Sequence, residues 1–168
     1  MPGRDAVHVA SFAWSIGVVA LLLRSGLIHQ GALRTQPAPT DPLSLATAVL
    51  RNSDHFSSAA VGYAGTTPQE VLAWGVIFRS PRRDHIFEDL LATASLSGQL
   101  YALAGLRLGA PADFARAAAW VRGNAGMVRT VRGCIVSTEA IGEIVDQIEQ
   151  GAWTRDFLER RLVPLLPR

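Results

Sequence analysis

The chain of 168 residues has no lysine and one cysteine, and only 18% of its residues are charged. A lone Cys134 excludes an intrachain disulfide and a cysteine-based zinc site. Its neighbours Gly133, Ile135 and Val136 are apolar or small, which predicts a buried and inert thiol. A cysteine nucleophile would want a histidine partner, and no motif ties His8, His29, His55 or His85 to Cys134. Several catalytic signatures are also missing. There is no Gly-x-Ser-x-Gly elbow, no Walker loop, no His-Glu-x-x-His and no dinucleotide fingerprint. No catalytic residue, metal ligand or cofactor is predicted.

The 16 basic residues are all arginine, a bias that reads as GC-rich codon usage rather than selection for phosphate forks. The net charge of +2 is unevenly placed. Arg4, Arg24 and Arg34 outnumber Asp5 at the N-terminus, while from Asp41 onward 13 arginines face 13 acidic residues. A nucleic-acid-binding domain usually carries a basic excess, because phosphate neutralisation dominates its affinity. No nucleic-acid partner is expected.

The one long hydrophobic run lies between Ala6 and Leu23, AVHVASFAWSIGVVALLL, and Arg24 ends it. Eighteen residues in a helix span about 27 Å, close to the ~30 Å of a bilayer core. No Ala-x-Ala cleavage site or lipobox follows. Residues 1–34 are therefore expected to be a signal anchor or signal peptide, and 35–41 a Pro-rich linker. Residues 42–168 should form the helical domain. The protein would be held in a bacterial-type inner membrane through Ala6 to Leu23, or be secreted or periplasmic after cleavage. Positive charge flanks both ends of the run and leaves its orientation open.

From Asp41 the chain reads as helices punctuated by Pro and Gly. Asp41-Pro42 opens a helix reaching about Arg51. The small, Gly-containing stretch 57–65 reads as loop. Thr67-Pro68-Gln69-Glu70 forms a capping-box pattern before an apolar helix. Ser80-Pro81 precedes an amphipathic helix, Ser97 or Gly98 opens another apolar one, and Ala110-Pro111 a fifth. Residues 127–137 fit either a short helix or an extended segment. Ser137 or Thr138 would then cap a helix carrying Ile141, Ile144, Val145 and Ile148, ended by Gly151. A last helix is predicted from about Thr154 to Leu162. Trp74, Tyr101 and Trp120 sit among apolar neighbours and are expected in the core.

The stretch from Thr67 to Gly123 resembles HEAT-type helical repeats. Amphipathic and apolar helices alternate there, and Pro68 and Pro111, 43 residues apart, each open a helix. The expected fold class is all-α, as an irregular bundle or HEAT-like helix pairs, preceded by the N-terminal apolar helix. That resemblance implies binding rather than chemistry.

Two clusters stand out as candidate sites. Glu139, Glu143, Asp146 and Glu149 would step along one helix face as a docking strip for a protein partner. Arg79, Arg82 and Arg83 gather near a helix N-terminus, where the dipole favours an anion. The expected function is a membrane-tethered or exported protein-interaction module. The alternatives are an immunity or inhibitor protein for a neighbouring toxin, and an enzyme using a site near Arg82, Arg83 and His85.

Overall fold

The structure, a computed structural model, describes residues 41–159. The expected anchor and most of the linker lie outside the described residues. No helix among those described is long and apolar enough to cross a membrane, so the single-pass expectation finds no support in them.

The all-α expectation is overturned by a three-stranded sheet. The elements run α1 (Pro42–Arg51), β1 (His55–Val61), α2 (Gln69–Phe78), α3 (Arg83–Thr93), α4 (Leu96–Gly109), α5 (Pro111–Arg122), β2 (Met127–Gly133), β3 (Ile135–Ala140), α6 (Ile141–Glu149) and α7 (Ala152–Glu159). The fold is mixed α/β. β2 lies centrally, parallel to β1 and antiparallel to β3. Four helices, α2 to α5, carry the chain from β1 back to β2, because parallel neighbours need a crossover.

Local signals explain the starts of several helices. Asp41 caps α1: its Oδ2 accepts from the Ser44 backbone N–H at 3.0 Å and from Ser44 Oγ at 3.0 Å. Pro111 opens α5 as expected. The capping box at Thr67 does not form; Pro68 takes the N-cap position and no side chain caps α2. The third helix starts at Arg83, and Ser95, not Ser97 or Gly98, caps α4 through Oγ to Gly98 N–H at 3.2 Å. Helix α6 starts at Ile141 with Ala140 as its N-cap, so Ser137 and Thr138 belong to β3.

α4 is the axis of the core, with every residue from Ser97 to Leu106 buried. Such a helix needs neighbours on all sides. Small residues bring them close. A Cβ built on Gly98 would lie 2.3 Å from the Leu50 carbonyl oxygen, and one on Gly105 would lie 2.3 Å from the Phe87 ring. α1 and α3 pack through these two gaps. Aromatic rings link the remaining elements. Phe56 of β1 lies 4.7 Å from Tyr101 and 4.5 Å from Trp153 between ring centroids, and Trp74 lies 4.7 Å from Phe78 and 4.9 Å from Phe157.

The two faces of the sheet differ. Phe56, Val128 and Thr130 are buried, and Arg132 lies with its guanidinium 4.2 Å from the Trp153 ring centroid. On β3 only Glu139 and Ala140 are half-buried; Ile135 through Thr138 are exposed. Gly133 and Cys134 form the turn between β2 and β3, with Gly133 at φ +58°. Cys134 is exposed there, contrary to the buried thiol expected from its apolar neighbours, because a hairpin tip has nothing packed above it.

Candidate functional site: a groove between α3 and α5

The four acidic residues of the expected strip do not share one helix face. Glu139 lies on β3 and its carboxylate is engaged. Oε1 accepts from Thr130 Oγ1 and, at 3.2 Å, from Ser137 Oγ; Oε2 accepts from Gln147 Nε2 at 2.9 Å. Gln147 Oε1 in turn accepts from Arg132 Nη2 at 2.7 Å and from Trp153 Nε1 at 2.9 Å. This network staples the hairpin to α6 and α7. Asp146 and Glu149 both meet Arg122 of α5, at 2.7 Å and 3.0 Å. Glu143 alone of the four is exposed without an ion-pair partner among the described residues.

Burial pushes the Glu139 carboxyl up, but the hydrogen bonds from Thr130, Gln147 and Ser137 outweigh it and leave the pKa below the usual value of 4.5. A carboxyl depressed in the fold contributes stability above its unfolded pKa and loses it as pH falls through the folded one. Stability should therefore drop as pH is lowered below about 4.5, and Glu139→Gln should flatten part of that slope. Urea midpoints measured from pH 6 to pH 3 in both proteins check this; equal slopes would contradict it.

The three arginines of the second cluster are spread over two helix ends. Arg79 is the C-cap of α2 and Arg82 the N-cap of α3. Arg83 is committed: its Nε lies 3.2 Å from Asp84 Oδ1 and its guanidinium 4.9 Å from the Phe78 ring centroid. His85 is exposed, and Asp89, one turn on, bonds to Arg51 Nη2 at 2.8 Å. A polar cluster that sequence spacing did not reveal lies at β1. His55 Nδ1 is 2.5 Å from Asp54 Oδ1, and its Nε2 is 3.8 Å from Glu70 Oε2. The His55 hydrogen bond holds the Asp54 carboxyl below its usual range. Deeper in, Ser57 Oγ lies 2.8 Å from the Tyr101 hydroxyl, whose pKa burial pushes well up. Ser57 and Tyr101 are fully buried, which suits a structural polar pair rather than a substrate site. Among the described residues no group of three or more His, Cys, Asp or Glu could hold a metal ion.

A concave feature among the described residues lies elsewhere. α3 and α5 both pack on α4 and leave a cleft of about 490 Å³ between them. Glu88, Leu91 and Ala92 line one wall, and Asp113, Arg116, Ala117 and Trp120 the other. Leu106 of α4 is the remaining lining residue. The spacing on both walls is i, i+3, i+4, so each wall is one helix face. Trp120 is 49% exposed, although the sequence places it among apolar residues. The stripe that buries α5 is Phe114, Ala117, Ala118 and Val121. Trp120 stands beside that stripe, and the offset was the available signal. Asp113 and Arg116 neutralise each other at 2.9 Å. Glu88 on the opposite wall is exposed and has no ion-pair partner among the described residues.

None of Arg82, Arg83 and His85 lines this cleft, nor does any residue of the acidic strip. Comparison with protein-family models, with curated proteins and with solved structures returned no match.

Proposed function

We propose that this domain is a protein-binding module that receives a helical segment of its partner between α3 and α5. The observation that carries the reading is Trp120, a large ring left half-exposed beside an apolar cleft. Tryptophan is enriched among the few residues that dominate the energetics of protein interfaces. Two walls that are each one helix face, with Leu106 of α4 between them in the lining, suit an amphipathic helix, which docks through side chains at i, i+3, i+4 and i+7. The charge of the rim adds a preference. With Asp113 and Arg116 paired, Glu88 is the uncompensated charge, so the incoming helix should carry a lysine or arginine beside its apolar face. The acidic residues of α6 contribute less, because Arg122 already occupies two of them.

Two synthetic peptides of about three helical turns test the reading. Both carry the same leucine stripe; one is flanked by arginine, the other by glutamate. The arginine peptide should bind at least several-fold more tightly. Its backbone amide perturbations in NMR should fall on α3 and α5. Equal affinity, or perturbations on α6 instead, would reject the groove.

A further inference from the structure

We infer that two copies of this chain pair through β3, joining their sheets edge to edge about a two-fold axis. The sheet has order β1-β2-β3, so β1 and β3 are its edges. The β1 edge is already occupied. The Ser57 N–H donates to the Tyr101 hydroxyl at 3.0 Å, and Val61 and Thr66 exchange two backbone hydrogen bonds of 2.9 Å. Among the described residues β3 pairs with β2 on one side only, so on its other side every second residue presents an N–H and C=O that none of them meets.

Exposed edges are normally protected by lysine, proline, a bulge or an outward charge. β3 has none of these. Its register with β2 is unbroken from Ile135 to Ala140, and its one charged residue, Glu139, is folded back onto Thr130, Ser137 and Gln147. The exposed side chains are uncharged instead: Ile135 is 69% exposed and Val136 56%, one on each face of the strand, and Ser137 and Thr138 follow.

Charge and edge count point to a second copy as the occupant. The segment from Gly133 to Thr138 is uncharged, so two antiparallel copies bring no like charges together. Because β1 is capped, the described residues of each chain offer one open edge, and self-pairing closes as a dimer instead of growing into a fibre. The surface is separate from the α3/α5 groove, and either can be present without the other.

The test uses the full chain with a spin label on Cys134, its only thiol. Sedimentation should give a dimer. Double electron–electron resonance should give a label separation of about 15–25 Å, from four residues at ~3.4 Å each between the two Cys134 of strands paired about Val136, plus the label arms. Val136→Lys sets two ammonium groups against each other at an exposed position. It should raise the dimer dissociation constant at least tenfold, while circular dichroism stays that of the wild type. Thr138→Pro should do the same by blocking the edge. A monomeric full chain would overturn the inference. So would a dimer that Val136→Lys leaves intact, or a monomer whose β3 takes only a strand of another protein.

Discussion

Replacing Trp74 by alanine should cost about 3–5 kcal/mol of folding stability, the range for large aromatic truncations in a packed core. Against a total of roughly 5–15 kcal/mol for a domain, that brings the fold close to failure. The ring has no solvent exposure. It stacks at 4.7 Å on Phe78 of its own helix and contacts Phe157 of α7 at 4.9 Å. Its Nε1 donates to the Tyr101 carbonyl in the middle of α4 at 3.0 Å. One side chain thus ties α2, α4 and α7. Trp74→Phe keeps most of the packing and loses the hydrogen bond, so it should cost about 1–3 kcal/mol. Urea unfolding of the three proteins gives the comparison. A loss under about 1 kcal/mol for the alanine variant would mean that the core is not organised around this ring.

Much of the helical part of this fold is legible in the sequence, because its signals are local. Asp41-Pro42 and Ala110-Pro111 fix helix starts through a proline pre-set for the first turn. Gly151, at φ +82°, stops α6. The sheet is hard to see for two different reasons. β1, HFSSAAV, is rich in serine and alanine and poor in β-branched residues, so it reads as a loop. Its residues are small because four consecutive positions, Phe56 to Ala59, are buried on both sides of the strand. In β2 and β3 the alternation is present, with Val128 and Thr130 buried between exposed Met127 and Arg129. The spacing of Val128, Val131 and Ile135 also fits a helix, and Gly133-Cys134 is not a strong hairpin pair.

The candidate sites failed to be legible for a third reason, which is distance along the chain. Arg122 captures Asp146 and Glu149 from 24 and 27 residues away. Glu139 is satisfied by Thr130 only once the hairpin has formed. Likewise the cleft exists because α3 and α5 flank α4, a relation that no local pattern contains.

The second large effect concerns the groove. Trp120→Ala removes a ring about half of whose surface is already buried, so stability should fall by about 1–2 kcal/mol, which leaves the domain folded. Binding should suffer as well. A tryptophan anchor at the centre of an interface typically contributes about 2 kcal/mol or more, roughly thirtyfold in affinity. Glu143→Arg lies outside the cleft and should leave affinity within about twofold, since a distant rim charge acts mainly through association rate. Calorimetric titration of the arginine-flanked helical peptide into wild-type, Trp120→Ala and Glu143→Arg proteins is the most direct measurement of whether the cleft between α3 and α5 is the binding site. The groove reading predicts about thirtyfold weaker binding for Trp120→Ala alone. Wild-type affinity in that variant, or a loss confined to Glu143→Arg, would contradict it.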